Sequence, residues 1–400
     1  MKRGNPVLSG LAIVVVLSVV FSAGYALGLR QASAADARTE GQRMLQVLAD
    51  HLQRSYIQRN LDWRKLYDGA ARGMLQALDD PYTAFFDAQG YRRFREDFRG
   101  FFYGVGIFIE KKDSRLLVVA PIPDTPAAKA GLRAGDHITH VDGVPTRDMP
   151  IEEAVARIRG PEGTTVRLRI QRGDRTFEVS ITRARIEVVS VQGEEALTDA
   201  ERRVVRDAQA AYVRILAFNQ DTAERFAAQL RRAEARNTRG LVLDLRFNPG
   251  GLVDQCTAVA DWFVPRGPIV HEVDRDGRTR TVNATPREKY RKPVVVLVNE
   301  GTASCSEIVA GALQDTGAGV LVGQRTFGKG VITTVVDLPG GRGATITTAK
   351  YLTPKRRDIH RKGIQPDVLA GDRVEGKTDR EVEAIRLEQL RKAVEVLRNR

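Results

Sequence analysis

Cysteine is scarce in this chain, which has only Cys256 and Cys305 among its 400 residues. Two cysteines cannot form a disulfide framework, so the fold must depend on hydrophobic cores. The sequence also lacks internal repeats, low-complexity linkers, and the cysteine–histidine or aromatic–basic spacings of zinc fingers and RNA-binding motifs. We therefore expect a globular protein that uses no metal and no cofactor and binds no nucleic acid.

Charged residues are missing from Val7 to Leu29. That run exceeds the ~20 apolar residues that a membrane-spanning helix needs. It predicts a signal-anchor over residues 1–35, with the rest of the chain in the periplasm or an equivalent compartment. Ala32–Ala34 fits a signal-peptidase site, so removal of the segment and secretion remain an alternative. The formal net charge of +13 is compatible with an anionic membrane surface.

Hydrophobic periodicity divides the remainder of the chain. Apolar residues at helical spacing predict a helical region over 36–98 that packs on a larger core. Strands and helices alternate over 188–370, which is typical of an α/β fold. Residues 371–400 contain an amphipathic pattern that predicts an exposed C-terminal helix.

Two stretches within 99–187 resemble a PDZ domain: the loop Tyr103–Ile107 and the longer run Ala127–Ile138. The resemblance implies an inserted domain whose loop N–H groups bind a terminal carboxylate while the peptide adds as a strand to the sheet. The residues expected to bind the peptide are Val105, Gly106 and Ile107.

Ser304 lies between an apolar run that predicts a strand, Val294–Val298, and a helical run that begins near Ile308. The free N–H groups at a helix start suit an oxyanion that forms beside a serine. Ser304 and Glu307 also fit a helix capping box, and from these residues alone that interpretation stays open. The neighbouring Cys305 could be a nucleophile instead, but no histidine stands in a matching motif, and we expect it to be a small buried residue.

Lys329 stands between two glycines, 25 positions after Ser304. A lysine has a pKa of about 10.4 and must be lowered to about 7–8 to act as a base, so it has to be desolvated. The neighbours Phe327, Val331 and Ile332 could supply that burial. A phosphate-binding loop is excluded, because glycine follows the lysine where serine or threonine would hold magnesium.

Three segments, Asp244–Gly251, Gly301–Glu307 and Gly323–Gly330, closely resemble the carboxyl-terminal processing peptidases, or tail-specific proteases. The resemblance implies a serine endopeptidase whose PDZ domain recognises the C-terminal tails of proteins and which cleaves near that end through an acyl-enzyme. By the same resemblance Ser304 is the nucleophile and Lys329 the base. The oxyanion hole is then formed by Cys305 with Gly250 or Gly251.

One position departs from the family pattern: Thr333 replaces the glutamine that usually hydrogen-bonds the lysine. We expect slower or differently regulated cleavage, and a catalytically impaired PDZ scaffold is the alternative function. Arg159 resembles a residue that couples tail binding to assembly of the active site. The expected partners are proteins or peptides with apolar C-termini, the membrane, and a second copy of the chain in a homo-oligomer.

Overall fold

The computed structural model describes residues 36–236, 238–374 and 376–400. The predicted anchor over 1–35 lies outside these residues. Among the residues that are described, no helix combines the length and apolarity required to cross a bilayer.

The chain divides between residues 71 and 72 into two units, and the first of them is described from residue 36 onward. In the first unit, residues 36–55 are helical (α1), and helix α2, Trp63–Gln76, begins there. The helical lead-in predicted from periodicity is therefore present. Large apolar side chains of this unit are exposed to solvent, among them Met44, Val47, Leu48, Ile57 and Tyr67.

The second unit contains a PDZ part and an α/β core, and a short segment of three elements precedes both of them. It comprises β1 (Ala84–Phe86), α3 (Ala88–Arg99) and β2 (Phe101–Gly104). Asp87 caps α3 by accepting the N–H of Gly90, and Gly100 ends the helix in the left-handed region, φ 75°.

The PDZ part is a six-stranded antiparallel sheet with two short helices. Residues alternate between buried apolar and exposed polar along its strands, as the buried Val166, Leu168 and Ile170 show, so one face of the sheet forms a core. Its elements are β3 (Ile107–Lys112), β4 (Arg115–Pro121), α4 (Pro126–Lys129), β5 (His137–Val141), β6 (Val144–Pro145), α5 (Ile151–Ile158), β7 (Thr165–Arg172) and β8 (Arg175–Thr182).

The chain returns through β9 (Ala184–Glu187), which pairs with β2, to a sheet in the order β10-β11-β12-β15-β16-β19. Apart from β10, its strands are parallel. Strands β12 and β15 are buried along their whole length, as expected for a parallel sheet covered on both faces. The strands are β10 (Val191–Gln192), β11 (Ala210–Ile215), β12 (Gly240–Asp244), β15 (Val294–Val298), β16 (Val320–Gly323) and β19 (Val368–Leu369).

Helices cover both faces of this sheet, which confirms the predicted α/β core. One face packs against α7 (Thr222–Ala235), α8 (Val253–Ala260) and α9 (Cys305–Thr316). The other packs against α6 (Asp199–Asp207) and α10 (Asp379–Arg398). The C-terminal helix is thus not simply exposed as predicted, because its apolar stripe, including Leu390 and Ala393, is buried in this second core.

A second sheet of the core is built mainly from two hairpins and carries β1 at one side. Its long strand β18 pairs with β17 along one edge and with β1 and β13 along the other. A register shift interrupts β17 between Ile332 and Thr333. The strands are β13 (Pro268–Asp274), β14 (Thr279–Asn283), β17 (Val331–Leu338) and β18 (Arg342–Leu352).

Candidate active site

Three loops meet at the carboxyl edge of the parallel sheet, where α/β folds place their sites. They follow β12, β15 and β16 and carry the glycine pair, Ser304 and Lys329 respectively. A cavity of about 280 Å³ lies between them. Five of the predicted site residues line it together: Gly250, Gly251, Ser304, Lys329 and Thr333.

Ser304 is the residue from which helix α9 starts, at the strand-to-helix turn expected from the sequence. Its backbone has φ 54° and ψ −118°, an uncommon conformation for a non-glycine residue. Strain of this kind persists only where the surroundings hold it, and it clusters at functional sites. Ser304 and Glu307 have the arrangement of a capping box, in which the Glu307 side chain accepts the Ser304 N–H, and Ser304 also lines the cavity.

Glu307 links the turn that carries Ser304 to the loop that carries Lys329. One carboxylate oxygen accepts the N–H groups of Ser304 at 2.9 Å and Lys329 at 2.8 Å, and the other accepts the Gly328 N–H at 2.7 Å and the Thr326 hydroxyl at 2.5 Å. Burial raises the pKa of this fully buried carboxyl group, although the four hydrogen bonds act in the opposite direction. Glu307 therefore does more than cap α9: it ties the serine turn to the lysine loop.

The Lys329 amine is partly buried, and that desolvation lowers its pKa. The negative charge of Asp80 acts in the opposite direction. Val331 and Ile332 line the same cavity, as predicted. Phe327 does not provide the expected shielding, because its side chain is 57% exposed; its loop turns the ring outward while its N–H donates to the Thr302 carbonyl.

Tyr82 takes the place expected of Phe327, since its ring centre lies 4.8 Å from the Lys329 amine. Sequence analysis missed this residue. Asp80 and Pro81 in front of it gave only a turn signal, and nothing local relates that turn to Lys329.

The two glycines of the loop after β12 have different backbone environments. Gly250 donates its N–H to Asn248 Oδ1 at 2.9 Å, whereas the N–H groups of Gly251 and Cys305 have no hydrogen-bond partner within the described part of the chain. A Cβ on Gly250 would come within 2.8 Å of Ser304 Cβ, so only glycine allows this approach. Of the predicted oxyanion donors, Gly251 and Cys305 are thus the pair with free N–H groups.

A buried ion pair between Asp244 and Arg246 lies at the start of the loop that carries Gly250 and Gly251. Asp244, at the end of β12, accepts two side-chain hydrogen bonds from Arg246, which in turn donates to the Arg386 carbonyl and to Gln389 on α10. Burial alone would raise the pKa of Asp244, but the charge and hydrogen bonds of Arg246 lower it to about 2. The C-terminal helix is therefore hydrogen-bonded to the start of the loop that carries Gly250 and Gly251.

Cys305 and Cys256 are both fully buried, and Cys305 Sγ lies 3.1 Å from the Gly251 carbonyl, to which it donates. Burial raises the pKa of the Cys256 thiol well above its ordinary value. Neither cysteine lines the cavity, which favours the structural interpretation of Cys305 over a role as nucleophile.

Thr333 lines the cavity beside Lys329. Lys329 precedes β17, and a register shift separates Ile332 from Thr333. For both reasons Lys329 and Thr333 do not share one continuous strand face. Among the described residues no hydrogen bond joins the Thr333 hydroxyl to the Lys329 amine.

The expected peptide site of the PDZ part is a groove of about 80 Å³ lined by Val105, Gly106, Ile107 and Arg159 together with residues of α5. Gly106 has φ 81°, and a Cβ there would come within 2.4 Å of Thr125, so the loop requires glycine. Arg159 also pairs with Glu96 on α3 at 3.2 Å and lies 4.2 Å from the centre of the Phe102 ring. Through these two contacts Arg159 connects the groove to α3 and β2.

Three family models match the chain: peptidase family S41 over residues 209–370, the PDZ domain over 117–172, and the N-terminal domain of the activating protease CtpB over 27–90. The carboxy-terminal processing protease CtpA of Bacillus subtilis (strain 168) is 36% identical over 346 residues, which is 86% of this chain and 71% of that protein. A carboxyl-terminal-processing protease of Synechocystis is 37% identical over 79% of this chain and 74% of its own length.

Among solved structures, the photosystem II D1 C-terminal processing protease is 33% identical, with a TM-score of 0.48, and covers 82% of this chain and 87% of its own. The three family models fall in the helical, PDZ and core segments. The chain therefore belongs to the carboxy-terminal processing proteases of peptidase family S41, serine peptidases that contain a PDZ domain.

Proposed function

We propose that Ser304 and Lys329 form the catalytic dyad of this peptidase. The observation that carries the proposal is one cavity lined by a strained serine, a desolvated amine and Gly251, whose backbone N–H is unpaired. The unpaired N–H of Cys305 follows Ser304 directly in the chain. Because nucleophile, base and oxyanion donors are all needed for acyl transfer, their convergence at one point favours this reaction over a binding role alone.

The proposed reaction begins with attack of Ser304 Oγ on the scissile carbonyl carbon while the neutral Lys329 amine takes the hydroxyl proton. The oxyanion is stabilised by the N–H groups of Gly251 and Cys305, with Gly250 keeping the loop close to the serine. The C–N bond then breaks, the leaving amine receives the proton from Lys329, and water hydrolyses the acyl-enzyme by the same proton route. Thr333 borders the base without holding it, which is why we expect slow turnover.

The PDZ groove is proposed to select the substrate. Its loop N–H groups at Val105, Gly106 and Ile107 would receive the terminal carboxylate of a protein or peptide, and its apolar lining would favour an apolar tail. Arg159 would relay occupancy of the groove to the core, because its ion pair with Glu96 joins the groove to α3, which also borders the catalytic cleft through Phe98.

The proposal extends to the N-terminal anchor, the domain limits and self-association of the chain. We propose an anchor over 1–35 that places the catalytic part outside the cytoplasm, and domain limits at 36–98, 99–187, 188–370 and 371–400. Self-association through the N-terminal unit is supported by its exposed apolar side chains, which would otherwise face water.

The test uses the full chain and a globular reporter protein that carries an apolar C-terminal tail. We expect cleavage near the tail, measured by intact mass, that is abolished in Ser304→Ala and in Lys329→Met, and strongly reduced when the tail ends in charged residues. Binding of the tail without cleavage by the wild type would instead support the non-catalytic PDZ scaffold.

A further inference from the structure

The Lys329 amine has an aromatic neighbour that no sequence motif predicted. The centre of the Tyr82 ring lies 4.8 Å from Nζ, within the ~6 Å at which a cation is attracted to a ring face. Within residues 36–236, 238–374 and 376–400, no hydrogen bond or ion pair holds this amine. In this part of the chain the Tyr82 ring is therefore the group placed to attract the charged form of the amine.

Tyr82 is held in place independently of Lys329. The Asp80 carboxylate accepts the Tyr82 N–H at 3.0 Å and the Thr83 hydroxyl at 2.7 Å, which closes a tight turn. The Tyr82 carbonyl accepts the hydroxyl of Thr345 on β18 at 2.9 Å. The ring also meets the His360 ring edge-on, 6.2 Å between centres. The hydrogen bonds of its turn and the contact with His360 thus hold the Tyr82 ring in place beside the flexible Lys329 side chain.

We infer that Tyr82 is a positioning residue for Lys329: its ring holds the amine at the cavity and stabilises the protonated form that follows attack by Ser304. The inference rests on the proposed function of the dyad. It explains how a chain with Thr333, which does not hydrogen-bond the amine, can still hold its base. The turn that carries Tyr82, which belongs to the second unit, then helps to hold the proposed base.

The ionisable groups around this contact come from several elements. Asp80 lies in the same turn, Cys305 and Glu307 belong to α9, and His360 and Arg361 lie in the loop after β18. A change at Tyr82 replaces none of the five groups, and Tyr82→Phe also keeps the ring contact with His360. A shift in the titration of the base that appears with leucine and not with phenylalanine can therefore be assigned to loss of the ring.

The experiment compares Tyr82→Leu with Tyr82→Phe in the full chain, through the pH dependence of kcat/KM on an apolar-tailed peptide. The acid limb reports the pKa of the free enzyme's base, which is active when neutral. Leucine keeps apolar bulk but removes the ring face, so the ammonium form is less favoured and its pKa falls. We expect the acid limb to move to lower pH by about 0.4–1.5 units, and kcat to fall at the plateau while KM stays within about twofold. Phenylalanine keeps the ring face and should leave the limb in place.

A merely structural role for Tyr82 would lower kcat at every pH without moving the limb, and that result would overturn the inference. If the leucine variant does not fold, Tyr82→Met fills a similar volume without a ring and carries the same expectation. A wild type without Ser304-dependent cleavage would contradict the proposed dyad itself. Cleavage by the wild type with identical limbs for the leucine and phenylalanine variants would contradict only the role of Tyr82.

Discussion

Glu307→Gln isolates the carboxylate that joins the serine turn to the lysine loop. The amide has the same shape but replaces one acceptor oxygen by a donor. In its better orientation it still accepts the N–H groups of Ser304 and Lys329 and donates to the Thr326 hydroxyl, yet it leaves the buried Gly328 N–H without an acceptor. In the reverse orientation it leaves two backbone donors unpaired.

The cost follows from these contacts. An unsatisfied buried donor costs about 1–3 kcal/mol, and exchanging a charged acceptor for a neutral one weakens the bonds that remain. Burial raises the pKa of Glu307 because it disfavours the charged carboxylate, so replacing that carboxylate by a neutral amide offsets part of the lost stability. We expect the variant to lose about 2–4 kcal/mol of unfolding free energy. Displacement of either catalytic loop by about 1 Å should lower kcat/KM by roughly 10²-fold.

Stability is measured by urea unfolding, followed through the fluorescence of Trp262 on the core in a Trp63→Phe background, alongside kcat/KM on a tailed peptide. The matched control is Glu153→Gln, an exposed glutamate on α5 whose i,i+4 pair with Arg157 contributes little. Stability within 0.5 kcal/mol and activity within about twofold of the wild type in Glu307→Gln would refute the role assigned to the carboxylate.

The remaining predictions concern changes at Asp244, Thr333 and Arg159. Asp244→Asn should cost about 3–5 kcal/mol at neutral pH, because it leaves Arg246 buried without its counter-charge; the double change of both residues to Leu should recover much of the loss in thermal unfolding. Since the folded pKa of Asp244, about 2, lies below its ordinary 3.8, its stabilisation is present above about pH 4 and lost as pH falls through about 2, a dependence that should vanish in Asp244→Asn. Thr333→Gln should raise kcat through a new hydrogen bond to the base, and unchanged or lower kcat would contradict that idea. Arg159→Ala should break the ion pair with Glu96 and remove the preference for apolar over charged tails while leaving cleavage of short untailed peptides unchanged.

The sequence predicted those parts of the site that depend on local pattern. The buried run Val294–Val298 and the turn after it placed Ser304 at the start of a helix, and the glycine pair after β12 indicated close backbone approach; both are present. The expected desolvation of Lys329 agrees in direction with the lowered pKa.

Other parts of the site depend on long-range packing, which periodicity does not report. The contact of Tyr82 with Lys329 arises because β1 and its preceding turn pair with β18, far away in the chain. The outward position of Phe327 and the buried stripe of α10 follow in the same way from neighbours that no local spacing reveals. The hydrogen bond from the Gly250 N–H to Asn248 depends on backbone dihedral angles, and a pair of glycines in the sequence does not determine those angles.

The central claim is that a desolvated Lys329 acts as the base for Ser304. The most direct test is the rate at which a fluorophosphonate probe labels the full chain as a function of pH, with the labelled residue located by mass spectrometry. We predict labelling at Ser304 with a midpoint well below the ordinary lysine pKa of about 10.4, and loss of that labelling in Lys329→Met. Labelling of Ser304 with the same rate and pH dependence in Lys329→Met would contradict the account.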